Sequence, residues 1–395
     1  MTREVWITGQ GLLSPLGQDL EATWTGLHDP AAVKAAANTE FLPPFTVHSM
    51  SLPALDKFIP KRGDQRAMGP FMLAGCVAAA MAMEQAGLLG NEALLKQINL
   101  MVGVGGGERD EAVDEAILRA LSGVSDGNVL AEQLQTELRP TLFLAQLPNL
   151  FAGNISIVLG VSGSSRTFMG EEAAGVDAVR VAFERIQGGQ ADLFLVGSAF
   201  NASRRDIALL YQSGGYLLED PALPFWRRPR AGMALGSAGA FLVMESRESA
   251  EARGAKPLAR LAGIVNDRCR REHGQATANA AREWQALAPK PGAALLSGAT
   301  GVGPITREEH DFLSGLVASP AAPQVRPTAV ALGHSVECAF LTNLVLATAA
   351  LQHGELFPAL TGDAVESAPS KPFDQVVITA WGHRRGEGMA LVERI

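Results

Sequence analysis

Cysteine is scarce in this chain: Cys76, Cys269 and Cys338 are the only three among 395 residues. They show neither paired nor metal-ligand spacing, so neither a disulfide framework nor a structural zinc site is expected, and a reducing, cytoplasmic setting is. Charge is sparse as well. Only 19% of residues are charged, and the net charge is −8. That balance argues against nucleic acid as a main partner, because phosphate binding needs concentrated Lys and Arg. No apolar run reaches the roughly 18 residues a membrane span requires. The opening MTREVWITG goes straight into a strand pattern, without the apolar core of a signal or the character of a transit peptide.

What the chain has is apolar residues (47%) and glycine (42). That composition predicts a large buried core rather than disorder. The length suits two domains or one large duplicated one. Strands are predicted at 5–8, 98–104, 191–197, 238–244, 257–265, 293–296, 376–379 and 389–392. Helices are predicted at 20–27, 70–86, 110–122, 128–137, 172–187, 275–287, 306–317 and 339–352. Residues 9–17 and 28–60 read as loop. The charged turn EARGAK at 251–256 is the expected boundary between halves 1–250 and 251–395. Two α/β halves of the same style suggest a layered duplication.

The centre of the chain is GNISIVLGVSGSSRTFMGEEAAG, residues 153–175. It predicts a strand at Ile155–Leu159, a Gly/Ser turn, a short strand at Arg166–Met169, and a turn at Gly170 into a helix starting at Glu171–Glu172. Such an elbow exposes one side chain at the positive end of a helix dipole, where nucleophiles sit. Here the tip carries Glu171 and Glu172. An acidic first turn is favourable by roughly 0.3–1 kcal/mol on its own, so residue type alone requires no function. GVGGGE (103–108) lacks the Lys-Ser/Thr of a phosphate loop and predicts no nucleotide site. Cys76 and Cys338 lie on apolar helical stretches and read as core; Cys269, in DRCRRE, reads as exposed.

Several motifs, in order, resemble the β-ketoacyl-acyl-carrier-protein synthases of the thiolase superfamily. They are VWITGQGLLSPLGQDLEATW, IPKRGDQRAMGPFMLAGCVAAAMAMEQAGL, LPNLFAGNISIVLGVSG, GGQADLFLVGSAFNA and LGHSVECAF. The resemblance implies a thiolase-like α/β fold, a duplicated five-layer α-β-α-β-α architecture, and no cofactor or metal. That family works with an acyl-carrying Cys, two His and a supporting Lys and Glu. Residue by residue, the resemblance places Glu172 in the Cys slot, Gly298 in the first His slot and Ala329 in the Lys slot. His334 holds the second His position, and Thr300 and Glu309 still match. The gate loop becomes WGHRRGEG, with His383 at or beside the gate. In a further motif Phe225 and Gly236 persist, while Ser237 replaces an acid.

These placements predict a degenerate site in which Glu172 points into the cavity and meets His334, because a buried carboxylate must find a donor or a proton. Met169, Phe200, Thr300 and His383 are the implied substrate-binding residues. Lys61, Arg62 and Arg66 are the implied docking cluster for an acyl carrier protein. Glu172 is not expected to carry an acyl group, since a mixed anhydride hydrolyses far more readily than a thioester. The expected role is a non-condensing, chain-length-factor-like subunit in a dimer with an active ketosynthase. One alternative is an active 3-oxoacyl-carrier synthase or malonyl decarboxylase with a rearranged site. The other is a homodimeric acyl-binding protein without turnover. ELRPTLFLAQLPNLFAGNISI and GSSRTFMGEE also resemble synthase homologues that make very-long-chain acyl groups for lipid A.

Overall fold

The computed structural model describes residues 2–124, 126–138, 144, 146–366 and 371–395. Part of the ELRPTLFLAQ stretch, at 139–143 and 145, lies outside the described residues. Strands β1 (Val5–Leu13), β4 (Asn99–Gly103), β5 (Ser165–Phe168), β6 (Leu193–Phe200) and β8 (Ala238–Ser246) build one half of a ten-stranded sheet. Strands β9 (Ala259–Asp267), β10 (Ala294–Ser297), β11 (Gln324–Pro327), β12 (Gln375–Trp381) and β13 (Glu387–Glu393) build the other. Three short strands, β2 (Ala37–Leu42), β3 (Phe45–His48) and β7 (Leu235–Gly236), form a separate sheet.

The two halves repeat one pairing pattern. From its outer edge, the first half runs β5, β4, β6, β8, β1, with two parallel pairings and then two antiparallel ones. The second half runs β11, β10, β12, β13, β9 in the same sequence of pairings. The halves meet where β1 pairs antiparallel with β9, through Val5–Leu261, Trp6–Arg260 and Ile7–Ala259. The boundary expected at 250/251 falls inside a short helix, Arg247–Ala252.

Helices complete five layers. Pro70–Gln85 and Asn149–Leu159 cover the first half-sheet, while Gln275–Leu287 and Ile305–Val317 lie outside the second. Glu172–Gln187 and Ala339–His353 are sandwiched between the half-sheets. The sequence explains this placement. Glu172–Gln187 buries Ala174, Val176, Ala178, Val179, Ala182, Phe183 and Ile186. Ala339–His353 is apolar nearly all round, the pattern of a helix enclosed on every side. Gly175 permits the close approach of the two central segments, since a β-carbon there would lie 2.4 Å from the Glu337 carbonyl oxygen.

Three sequence expectations need correction. Ile155–Leu159 is the end of a helix, Asn149–Leu159, closed by Gly160 at φ 73°. A short apolar run cannot separate strand from buried helix by periodicity. Residues 28–60 are not all loop, since Pro30–Ala36 is helical and β2 and β3 follow. The expected loop at 9–17 starts late because β1 continues to Leu13 past an irregularity at Ile7–Gly9.

Candidate functional site: a carboxylate held between two histidines

The elbow follows β5. Gly170 (φ 139°) and Glu171 (φ 57°, ψ −138°) reverse the chain, and the helix begins at Glu172. A positive φ at a non-glycine residue is costly and is kept only where the surroundings impose it. Two further segments converge on this point. Gly333 (φ 69°) delivers His334, whose N–H donates to Ala234 O at 2.7 Å. The turn between β12 and β13, closed by Gly382 N–H to Gly386 O at 2.9 Å, carries His383.

Glu172 Oε1 lies 2.9 Å from His334 Nε2 and 2.8 Å from His383 Nδ1, and it also accepts from the His383 backbone N–H at 3.3 Å. A carboxylate only accepts, so these ring nitrogens are the protonated ones. Glu172 is 3% exposed and its Oε2 has no hydrogen-bond partner among the described residues. Burial alone would push its carboxyl up. The His383 charge and the hydrogen bonds from both rings outweigh that and hold it well below the usual carboxylate range. Burial likewise opposes the charge on His383, but Glu172 and then Glu171 raise its pKa. The rings of Tyr211 and Tyr216 stand edge-on to His383 at 5.6 and 4.9 Å.

A clamp that the motifs did not disclose holds the His383 turn. Arg271, itself at φ 64°, donates through Nε to Gly382 O at 3.1 Å and pairs with buried Glu387, which also accepts from Asn279 at 2.8 Å. Cys269, read as exposed, is half-buried here, because Arg271 draws its sulfur in to 3.1 Å. The only sequence signal was the charge density of DRCRRE.

The remaining positions are more dispersed. Gly298 and Ala329 line, with His334, a cavity of only 10 Å³, about the space of one water. Thr300 is buried, its hydroxyl accepting from Val302 N–H at 3.2 Å. Phe200 lines a separate cavity with Glu171. Met169, expected to bind substrate, is on the surface, 61% exposed, just before the turn at Gly170. Lys61, Arg62 and Arg66 are exposed, and Arg66 borders a 340 Å³ cleft with Glu108 and Arg204. Among the described residues, Glu171, Glu172 and His383 could gather around a metal ion, their ligand atoms lying within 4.8 Å of one another. Both His383 ring nitrogens already face carboxylates, at 2.8 and 3.6 Å.

Glu309 is fully buried and accepts from Ser297 Oγ at 2.7 Å and Thr379 Oγ1 at 2.8 Å. Burial pushes its carboxyl from 4.5 up to about 7, against those two hydroxyl bonds. A raised carboxyl pKa means the folded state keeps a proton that the unfolded chain releases. Stability from this group is therefore full below pH 4.5 and lost as pH rises through about 7. Urea unfolding of wild type and Glu309→Gln is expected to diverge by on the order of 2 kcal/mol between about pH 5 and pH 8, the wild type losing more. Parallel profiles would show that Glu309 is ionised.

A ten-stranded sheet of two like halves, with a strained elbow at the head of a central helix, defines a thiolase-like ketosynthase fold. The solved ishigamide ketosynthase/chain length factor superposes with a TM-score of 0.78 at 20% identity, over the whole of both chains. A chain from the solved complex of a type II PKS acyl-carrier protein with its ketosynthase superposes with a TM-score of 0.74 at 19% identity, over the whole of both chains. The model for the N-terminal domain of β-ketoacyl synthase matches residues 2–250. The chain belongs to the β-ketoacyl synthase family. It is 30% identical to Nodulation protein E of Rhizobium leguminosarum bv. trifolii over 67% of this chain and 63% of that one. It is 28% identical to 3-oxoacyl-[acyl-carrier-protein] synthase 2 of Vibrio cholerae over 66% and 62%. The matches thus span less than two thirds of those relatives. No described helix is long and apolar enough to cross a membrane.

Proposed function

We propose that the chain is the non-condensing subunit of a ketosynthase pair, akin to a chain-length factor, and that it shapes the acyl site of an active partner. One observation carries this reading: the residue at the elbow tip is a buried carboxylate locked between His334 and His383, and no thiol stands there. Burial pushes the Cys76 and Cys338 thiols up to about 12, and Cys269 lies on Arg271. The likeness in fold to a ketosynthase/chain length factor structure supports the reading.

The partner surface is the β5 edge of the sheet, unpaired on its outer side among the described residues, where Ser165 and Arg166 are exposed and Ile157 and Met169 lie nearby, 67% and 61% exposed. An unpaired edge is a template for a second strand. The proposed interface is therefore β5, with the helix Asn149–Leu159 beside it. Lys61, Arg62 and Arg66 would receive an acidic carrier protein. Decarboxylation or condensation by a rearranged site has less support, because an oxyanion needs free donors and both histidine N–H groups are bonded to Glu172.

The test is condensation assayed with acyl and malonyl carrier proteins, for the chain alone and with a candidate Cys-His-His synthase. Turnover only with the partner, unaffected by Glu172→Ala, supports the reading. Turnover by the chain alone, abolished by Glu172→Ala, overturns it. A stable homodimer that ignores the partner in native mass spectrometry favours an acyl-binding protein without turnover.

A further inference from the structure

A cavity of 110 Å³ lies beside the elbow, between the glycine-rich segment after β4, the end of β6 and the helix Arg205–Ser213. Its walls are aromatic and aliphatic (Phe71, Phe200, Tyr211, Leu210), and two glutamates also line it, Glu171 and Glu337. Glu337 stands three residues after His334, in LGHSVECAF. It is 5% exposed, and its Oε2 has no hydrogen-bond partner among the described residues. The carboxyl group faces Gly105, where a β-carbon would meet Oε1 at 2.7 Å and Oε2 at 3.4 Å. The missing side chain at 105 keeps the space in front of the carboxyl group open.

The field in this space is negative. Burial first, then Glu172 and Glu171, push Glu337 up to about 7, with its own backbone N–H and His383 opposing. Burial and the same three carboxylates hold the Tyr211 hydroxyl above its ordinary value, against Arg384. Arg204 also reaches the cavity, but its guanidinium is bonded to Asp206 at 2.6 and 3.0 Å and to Gly107 O at 2.9 Å.

We propose that this cavity binds a primary ammonium group carried on a short aliphatic stem. The ammonium donates to the unpartnered Glu337 oxygen, the rings of Phe71, Phe200 and Tyr211 favour a cation over a neutral group, and the stem packs on Leu210. An anionic ligand would meet the charges of Glu171 and Glu172, and a purely aliphatic one would leave the buried carboxyl group unpartnered. The site goes beyond the non-condensing reading and stands whether or not that reading holds.

The probe is n-butylammonium, titrated calorimetrically into the full chain, with n-butanol and butyrate as matched controls. Saturable butylammonium binding about tenfold tighter than butanol is expected, with no butyrate binding. Around pH 7 the binding should release protons, seen as heats that differ between buffers of different ionisation enthalpy, because the cation ionises Glu337. Glu337→Gln should weaken butylammonium about tenfold and leave butanol unchanged. Should that variant not fold, Phe200→Leu and the wild-type buffer dependence carry the test. Equal affinity for alcohol and ammonium, buffer-independent heats, or no saturation would overturn the proposal.

Discussion

Glu172→Ala is expected to lower the unfolding free energy by about 3–5 kcal/mol, the usual cost of removing one member of a buried ion pair. The loss has two parts. Two buried imidazoles, on His334 and His383, lose their common acceptor, and the His383 charge loses the carboxylate that sustains it. Glu172→Gln keeps an oxygen for the two N–H donors and removes only the charge, so about 1–2 kcal/mol is expected. Urea unfolding of the three proteins at pH 6 measures both figures.

The pH dependence gives a sharper check. Glu172 has its pKa depressed below 4.5, so its stabilisation is present above that value and fades as pH falls through the lower folded pKa. His383 has its pKa raised above 6.5, so its stabilisation is full below that value and fades as pH rises through the higher folded pKa. The gap between wild type and Glu172→Gln should therefore be widest between the two ordinary values and narrow on either side. A gap constant from about pH 4 to pH 9 would mean that the pair carries no charge.

The elbow shows what a sequence makes legible and what it does not. The helix from Glu172 to Gln187 is readable because its apolar residues recur at helical spacing, and both ends match the structure. The meeting of Glu172 with His334 follows from placing two quoted motifs in one fold. His383 is harder: its loop can be located, but which way the ring turns depends on Arg271, more than 100 residues earlier in the chain, holding Gly382 O. Glu337 illustrates a different failure. A glutamate inside an apolar, small-residue motif was visible, yet its meaning depends on Gly105 leaving room in front of it, a pairing no periodicity encodes. The segment 149–159 misleads for a third reason, because an apolar run satisfies both strand and buried helix until Gly160 is seen to close it in the left-handed region.

Gly298→His is expected to cost about 3 kcal/mol, the upper end for an overpacked interior site, and not to yield a working histidine. A β-carbon at 298 would stand 2.2 Å from Thr379 O and 3.1 Å from Ala380 Cα. Both belong to β12, and the Gly298 N–H is already bonded to Thr379 Oγ1 at 2.9 Å. A side chain there must push β12 away, and β12 runs directly into the turn that carries His383. Placing a histidine at 298 therefore loosens another part of the site. The triple variant Glu172→Cys, Gly298→His, Ala329→Lys should consequently show lower stability than Glu172→Cys alone and no condensation with acyl and malonyl carrier proteins. Activity in the triple variant, with unchanged urea stability, would show that the backbone accepts a Cys-His-Lys set at these positions. Its absence, with the stability loss assigned to Gly298→His by the single variants, would show that the backbone has closed over the position and that the carboxylate between two histidines is the settled form of the elbow.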